Sequence, residues 1–434
     1  MKRMLGLLLT AVLLMSLGTA ASGDAAEPEM LHVCDENNNE RCLAASADGT
    51  RFLIWQNHHP EHNMWVQDAD GGNRRDLYFS GLEEEQAESI AGLALISSVK
   101  LKSEQVAPEL EKWKQQYGSA VSALMHCIWQ QPRANLASVA GDMLLLTDYA
   151  FGSARINMET GETALLNRVN AVMGPDGAVF CYYASERKAW YLPVDQAVPE
   201  EIPFPWPSDV IIMAACPLSD GTVWILEHGY MDAVEQDNRK IFPVTVSLVL
   251  RDRTGKELRR VEGGAFDHAV QPTRLLYSEA TGIGILFCDG FSPIQQLWYF
   301  GPEDENLKAL LPAGFMIPGL PAAQLLSREE SVDEYGFPLA SGRIQIPIGL
   351  TADGRKLLFL DVESNSLMAL NLETLEGELL LNGTQIVSLL GVDPAAPRQP
   401  GPMDFMNMGW NGNSIFSCTG AVPGYALRLP VSGE

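Results

Sequence analysis

The stretch Cys42–Ser80 contains the segments SADGTRFLIW (Ser46–Trp55) and MWVQDADGGNRRDLY (Met64–Tyr78). The runs Arg51–Gln56 and Met64–Asp68 are short, rich in apolar and aromatic residues and bounded by turn residues, which is typical of β-strands. Asp48-Gly49 and Asp70-Gly71-Gly72 flank these runs where tight hairpin turns need glycine. The stretch therefore predicts one antiparallel meander of short strands.

Similar units recur down to the C-terminus. The segment NMETGETALLN (Asn157–Asn167) closely resembles NLETLEGELLLN (Asn371–Asn382), although the two lie about two hundred residues apart. Small repeated sheets stabilise one another by stacking, so the whole chain can form one array. The units after the first are Leu136–Asn167, Asn170–Pro203, Val210–Gly263, Thr273–Pro312, Arg343–Asn382 and, in the last place, Asp404–Val431.

The last unit has room for only three strands, and Met30–Cys34 offers a spare strand ahead of the first meander. A closed ring leaves no end with unpaired backbone groups, so we expect this spare strand to complete the last sheet. The predicted fold class is all-β: a seven-bladed β-propeller of four-stranded units, closed by pairing of the N- and C-terminal strands. Residues 29–434 form a single domain in this prediction.

One segment, Leu82–Arg133, departs from the strand pattern and is interpreted as a helical insertion between the first and second blades. Pro108 suits the first turn of a helix, and Pro132 would end it. Apolar residues recur between them three or four positions apart, which predicts one amphipathic helix. These residues are Leu110, Trp113, Tyr117, Val121, Leu124 and Ile128.

The first meander resembles a blade of the TolB-type, WD-repeat-like propellers. The resemblance is carried by SADGTRFLIW and MWVQDADGGNRRDLY and recurs in the short turns GPDG, LSDG and TADG. It implies blade geometry, with Asp-Gly supplying a tight turn, and it implies no activity.

The N-terminus has the three parts of a secretory signal peptide within residues 1–21. Lys2 and Arg3 precede the apolar run Leu5–Leu17, and the small residues Gly18–Ala21 follow it. An uncleaved anchor is the alternative, although the apolar run is short for a membrane span. We expect a protein exported to the periplasm, the cell envelope or the medium, with no stable membrane insertion after the signal is removed.

The chain is strongly acidic, with a formal net charge of −25. That field would repel a polyphosphate, so a nucleic acid partner is not expected. Spread over the surface, the acidity favours solubility; concentrated near a site, it would attract cations or basic partners. Both interpretations remain open.

The seven cysteines include no C-x-x-C pair, so the sequence gives no support to a thiolate metal site. Cys34 and Cys42 flank a polar loop that a disulfide could close in an exported protein. Whether these two residues pair is left open. The cysteines within strand-like runs are expected to behave as small hydrophobic residues.

The long connections all follow the second or fourth strand of a unit, which places them on one face of the ring. Irregular loops on a rigid scaffold commonly carry binding sites, so we expect function on this face. Drift is the alternative, because surface loops tolerate insertion at little cost. The long connections are Asn57–Asn63, Leu82–Arg133, Gly229–Pro243, Ala313–Gly342 and Gly383–Met403.

A histidine-rich loop is the candidate metal site. His58, Glu61 and His62 fit the pattern H-x-x-E-H, but Pro60 and the flanking strands argue against the helix that catalytic zinc sites of this kind use. His58 and His62 could still bind a divalent transition metal from a loop, and a plain polar hairpin is the alternative. Asp68–Asn73 resembles half a calcium loop but equally fits a hairpin turn.

No nucleophile motif G-x-S-x-G and no Walker-type glycine pattern is present in the sequence. The sequence favours a binding or adaptor module for a protein, peptide or glycan, with no required cofactor. The alternative is an extracytoplasmic hydrolase or lyase with its site in the central depression of the loop-rich face. A third interpretation makes Pro108–Trp129 a dimerisation surface. The ligand and the oligomeric state are not determined by the sequence.

Overall fold

The computed structural model of the protein describes twenty-two segments between residues 28 and 430. Their strands form a series of sheets that follow one another along the chain. The described residues are 28–35, 38–56, 64–97, 100–128, 138–148, 152–166, 170–183, 187–203, 210–232, 234–236, 239–241, 244–266, 272–288, 296–311, 345–351, 353–361, 366–374, 376–389, 391, 405–410, 413–418 and 424–430. No helix within these segments is both long and apolar enough to span a bilayer.

The first half of the chain contains three sheets and three helices. The chain begins with β1 (Glu29–His32), and sheet 1 consists of β2 (Glu40–Ala45), β3 (Arg51–Gln56), β4 (Met64–Asp68) and β5 (Arg75–Asp76). The short strand β6 (Tyr78–Phe79) and helices α1 (Glu84–Ser97), α2 (Ser103–Tyr117) and α3 (Ala120–Ile128) follow. Sheet 2 contains β7 (Ser138–Ala140), β8 (Met143–Asp148), β9 (Gly152–Asn157) and β10 (Glu162–Leu166), and sheet 3 contains β11 (Asn170–Met173), β12 (Val179–Tyr183), β13 (Lys188–Leu192) and β14 (Glu200–Ile202).

The second half continues the series. Sheet 4 contains β15 (Val210–Pro217), β16 (Val223–Tyr230), β19 (Val244–Arg251) and β20 (Glu257–Phe266), with the separate hairpin β17 (Val234–Gln236) and β18 (Arg239–Ile241) between its second and third strands. Sheet 5 contains β21 (Pro272–Ser278), β22 (Ile283–Cys288), β23 (Gln296–Phe300) and β24 (Lys308–Leu311). Sheet 6 contains β25 (Gln345–Leu350), β26 (Lys356–Asp361), β27 (Ser366–Asn371) and β28 (Gly377–Leu381), and helix α4 (Gly383–Leu389) precedes β29 (Phe405–Trp410), β30 (Asn413–Cys418) and β31 (Tyr425–Pro430).

The terminal sheet confirms the predicted closure. Its strand order is β1-β31-β30-β29, and Met30 lies opposite Leu427 in an antiparallel ladder. The backbone N–H of Val33 extends this pairing by donating to the carbonyl oxygen of Gly424 at 2.9 Å. Joining the two ends of the chain in one sheet removes an exposed edge, which is the physical reason for the pairing.

The prediction of seven four-stranded blades is wrong in number, because only six four-stranded sheets are present among the described residues. Six of the sheets have four strands, whereas sheet 2 has five. The additional strand is β6, which leaves sheet 1 and runs parallel to the outer strand β10, with Tyr78 opposite Glu162 and Phe79 opposite Thr163. The sequence predicted that the strands of Cys42–Ser80 form one meander, and it could not show that the last of them would join the next sheet.

Neighbouring sheets bury their apolar faces against each other, as a propeller requires. Leu166 of sheet 2 and Val179 of sheet 3 share one buried cluster. Further clusters join sheet 3 to sheet 4, sheet 4 to sheet 5 and sheet 5 to sheet 6. Ala426 of the terminal sheet belongs to the cluster that joins sheets 1 and 2. The described residues therefore form an all-β propeller arrangement.

The Asp-Gly turns have the geometry that their sequences predicted. Gly49 has a φ of +70°, and the Asp48 carboxylate accepts the backbone N–H of Thr50 at 3.0 Å. The two similar hairpins also match in detail: the Asn157 side-chain oxygen accepts the N–H of Glu159 at 2.8 Å, and Asn371 accepts that of Glu373 at 2.9 Å. These side chains hold turns, so the repeated sequences encode blade geometry.

The helical segment contains two helices where the apolar stripe predicted one. Gly118, with a φ of +89°, ends α2, and its N–H donates to the carbonyl oxygen of Lys114 at 2.8 Å, so the expected helix is broken in two. Pro108 lies inside α2 and not in its first turn, because the helix begins at Ser103, where Gln105 accepts the backbone N–H of Lys102 at 3.0 Å.

Cys34 and Cys42 are both buried, and the structure holds them as thiols and not as a disulfide. The thiol of Cys42 lies 3.8 Å from the carbonyl oxygen of Ala44, two residues further along the same strand. The loop that they flank instead relies on polar contacts, since Glu40 accepts the N–H of Asp35 at 2.9 Å.

Candidate binding cleft

A cleft of about 580 Å³ lies where sheets 2 and 3 meet helix α1. Its volume falls within the range of about 300–1,000 Å³ that small-ligand sites occupy. Residues from five parts of the chain line it: the crossover that leads from β6 to α1, one face of α1, sheet 2, sheet 3, and the loop between β13 and β14.

The floor of the cleft is the seam between two sheets. Leu166 of β10 and Cys181 of β12 lie in the same buried cluster, and Trp190 of β13 packs against it while remaining half-buried. Alternation along these strands sends the apolar side chains into the seam. Tyr183, also half-buried, adds a second aromatic ring to the lining. The floor is thus apolar and partly aromatic.

Helix α1 supplies a polar wall. Ala87 and Ala91 are fully buried against the core of sheets 1 and 2, whereas Gln86 and Ser89 are exposed and line the cleft. The helix is held in place partly by Glu84, whose carboxylate accepts the backbone N–H of Ala120 and so caps α3. A hydroxyl and an amide therefore face an otherwise apolar floor.

The crossover before α1 depends on a glycine. The N–H of Ser80 donates to the carbonyl oxygen of Thr163 at 3.0 Å, which carries the chain along the outer edge of sheet 2. Gly81 then adopts a φ of +68°, and a Cβ at this position would lie 2.6 Å from Cγ2 of Val198. Glycine thus lets the crossover approach the opposite lip of the cleft closely.

The opposite lip is the loop between β13 and β14, and Arg155 of sheet 2 holds it. The Arg155 side chain is buried, and its guanidinium donates to four carbonyl oxygens: Pro193 at 2.6 Å, Gln196, and Gly177 and Leu192 at 3.5 Å each. Burial lowers the pKa of Arg155, while surrounding carboxylates, Glu162 first, oppose that change. The hydrogen bonds of the Arg155 guanidinium thus hold in place the loop that carries Val198 and Pro199.

Cys181 is the one thiol among the residues that line this cleft. Its burial raises the pKa of the thiol to about 12, with only partial opposition from Arg155. A thiol of that pKa stays protonated at neutral pH and is a poor nucleophile. The chemistry that the cleft offers is therefore apolar contact, aromatic contact and hydrogen bonding.

The predicted metal ligands His58 and His62 lie outside the described residues, so the loop-metal hypothesis stays a prediction. Within the described residues, no group of three or more His, Cys, Asp or Glu side chains is close enough to share a metal ion. The half calcium loop Asp68–Asn73 is a turn in which Asp68 accepts the Asn73 amide at 2.7 Å and the Arg75 guanidinium at 2.9 Å. These contacts, the Asn73 hydrogen bond first, lower the pKa of Asp68.

The sequence patterns did not indicate this cleft. Neither Trp190 nor Arg155 was among the candidate site residues. A signal was present for Arg155, because GSARIN (Gly152–Asn157) puts a charged residue in a strand whose neighbours are small or apolar. Such an arginine must find acceptors when buried, but the sequence does not show which loop provides them.

No protein-family model matches the chain, and no curated protein sequence matches it. Among solved structures, TolB from Acinetobacter baumannii is 12% identical over 88% of this chain and 77% of its own, with a TM-score of 0.33. The Cps50 (Swd1) β-propeller domain from Myceliophteria thermophila is 9% identical over 94% of this chain and 100% of its own, with a TM-score of 0.42.

A puromycin-hydrolysing peptidase from Mycobacterium tuberculosis is 12% identical over 91% of this chain, with a TM-score of 0.43, and the chain spans 52% of that peptidase. The assignment of the fold rests on the sheets and turns described above and not on these likenesses. Successive meander sheets joined by Asp-Gly turns and closed by the two termini give the chain the fold of a β-propeller.

Proposed function

We propose that the protein is an exported binding module whose cleft between sheets 2 and 3 takes a short segment of a protein partner. The observation that carries this proposal is the cleft itself: an apolar and partly aromatic floor, a polar helix wall and a lip held by a buried arginine. Apolar anchoring with a few placed hydrogen-bonding groups is how proteins bind peptide side chains.

Export rests on the signal peptide pattern in residues 1–21, and the envelope or extracellular location is part of the proposal. The enzyme alternative places a hydrolase or lyase site in the central depression. Its candidate loops include 57–63 and 312–344, which lie outside the described residues. The cleft gives the binding module the more specific structural support.

Selection of random dodecapeptides displayed on phage tests the proposal. Ser89 is exposed on α1 and lines the cleft, so Ser89→Trp would fill the cleft without disturbing the buried face of the helix. Gln115→Trp is the matched control, because it adds the same ring to an exposed position of α2. We expect enriched peptides to contain an apolar or aromatic anchor and to bind the wild type and Gln115→Trp but not Ser89→Trp.

Peptides that bind the wild type and Ser89→Trp equally well would place recognition elsewhere and contradict the proposal. Circular dichroism of both variants controls for folding. The mass of the protein recovered from an exporting host tests the export part separately, because removal of residues 1–21 shortens the chain.

A further inference from the structure

We infer that the segment bound in the cleft carries lysine or arginine next to its apolar anchor. This inference rests on the proposed function and adds the charge of the partner. Carboxylates border the cleft along the chain on two sides. Glu83 and Glu85 are the neighbours of the lining residues Leu82 and Gln86; Leu82 and Glu83 lie just before α1, and Glu85 and Gln86 lie in its first turn.

The opposite lip is acidic as well. Asp195 lies two residues before the lining residue Ala197, and Glu200 and Glu201 follow Pro199 directly. All three carboxylates are exposed, and Glu200 also accepts a hydrogen bond from the Gln196 amide at 3.0 Å. A neutral apolar floor therefore lies between two exposed acidic borders.

The cations near the cleft are engaged with the protein itself. Arg155 is buried and donates to backbone carbonyl oxygens, and Lys114 of α2 forms an ion pair with Glu88 of α1. Arg187 and Lys188, at the start of β13, each make an interaction within the chain. The five exposed carboxylates named above outnumber these four cations, so the rim carries a net negative charge.

Charge at the rim of a site changes association rate and selectivity more than it changes affinity. A basic flank would lie beside solvent-exposed carboxylates, so its contribution should be moderate and should weaken as salt screens it. The net charge of −25 for the whole chain has the same sign and extends this attraction to longer distances.

Fluorescence anisotropy with three labelled peptides tests the inference on the full chain. The first peptide is acetyl-Gly-Lys-Lys-Leu-Phe-Leu-Lys-Lys-Gly-amide, and the other two replace every Lys by Ser or by Glu. We expect the Lys peptide to bind about tenfold more tightly than the Ser peptide and the Glu peptide to bind most weakly. Raising the salt concentration to about 0.5 M should reduce these differences.

Two double variants locate the charge effect. Glu85→Gln with Glu201→Gln should weaken binding of the Lys peptide about threefold to tenfold and leave the Ser peptide unchanged. Glu303→Gln with Glu373→Gln is the matched control, since it removes two exposed carboxylates from turns of sheets 5 and 6. Ser89→Trp should abolish binding of the Lys peptide, which separates binding in the cleft from general attraction to an acidic surface.

The outcomes distinguish the two levels of the proposal. Equal affinity for the Lys and Ser peptides, both lost in Ser89→Trp, overturns the charge inference and leaves the cleft as a peptide site. Binding of the Lys peptide that survives Ser89→Trp overturns the inference in favour of unspecific attraction. Failure of all three peptides to bind, with none selected from the phage library, overturns the proposed function itself.

Discussion

Two seams of the propeller are built alike and filled differently. Between sheets 4 and 5, the rings of Trp224 and Phe300 meet edge to face with centroids 4.8 Å apart, and Tyr277 stacks on Phe300 at 6.0 Å. Between sheets 2 and 3, aliphatic side chains and Cys181 occupy the corresponding place, and the rim opens into the cleft. The same meander architecture thus gives a solid seam in one place and a site in the other.

The two seams share one structural feature, so their different packing can be compared directly. In each, an arginine of one sheet reaches across to the loop before the fourth strand of the next. Arg155 donates to Pro193 O at 2.6 Å, and Arg259 donates to Gly301 O and Asp304 O at 2.8 Å. The loops are therefore held in the same way, and the side chains that fill the seam, together with α1 and the crossover at Gly81, decide whether a cavity remains.

The largest effect is expected from opening the solid seam. Phe300 is fully buried, and a Cβ at Gly284 would lie 2.0 Å from its ring, so the site is shaped around this side chain. Phe300→Ala should lower the free energy of unfolding by about 3–5 kcal/mol, because it removes apolar contact and leaves a cavity. Urea denaturation followed by far-UV circular dichroism measures the change.

Trp190→Ala is the matched variant in the open seam. Trp190 is only half-buried, so the loss should be smaller, about 1–2 kcal/mol. Equal losses for the two variants would show that the two seams are packed to the same degree and would remove the basis of the comparison.

An intermediate effect is expected from releasing the loop at the open seam. Arg155→Met keeps the aliphatic stem but leaves buried carbonyl oxygens without a donor, which should cost about 2–3 kcal/mol. Arg259 is half-buried and water can reach its acceptors more readily, so Arg259→Met should cost less. Thermal denaturation of both variants checks the order, and a larger loss for Arg259→Met would contradict it.

The smallest effect appears only at alkaline pH. Burial raises the pKa of Cys181 from 9.0 to about 12, so the unfolded chain loses this proton before the folded protein does. Stability that is unaffected at neutral pH should therefore fall as the pH rises above 9, by at most about 1.4 kcal/mol per pH unit for this group. In Cys181→Ala this contribution should be absent, and the difference between the two pH profiles isolates it.

A wild-type profile parallel to that of Cys181→Ala above pH 9 would contradict a buried, protonated thiol at the floor of the cleft. Mass spectrometry after alkylation at pH 8 gives an independent check. The half-buried Cys216 serves as the comparison within the same chain, and Cys181 should react more slowly.

Much of the fold could be predicted from local patterns. The turns at Asp48-Gly49 and the similar hairpins at Asn157 and Asn371 are fixed by side chains that bond to backbone groups two residues away. Such interactions are contained within a few residues, so the sequence shows them directly. The pairing of Met30 with Leu427 was also predictable, because an incomplete last unit and a spare first strand complement each other.

The predictions were wrong where a segment's structure depends on residues far away in the sequence. β6 joined the next sheet because the outer edge of β10 was available to it, and nothing in Tyr78–Phe79 identifies that edge. The apolar stripe predicted a single helix that continues past Gly118, whereas this glycine, at positive φ, ends the helix. The histidine loop, the signal peptide and the role of the loop-rich face remain predictions.

By itself, the sequence determined that this chain alternates short strands with Asp-Gly turns and that its two ends complete one sheet. These properties follow from strand periodicity and from turn chemistry, which act over short distances. Only the tertiary structure decided that α1, the crossover at Gly81 and the loop held by Arg155 meet around an open seam. A cleft exists where packed surfaces fail to fill the space between them, and that depends on side chains brought together from separate parts of the chain.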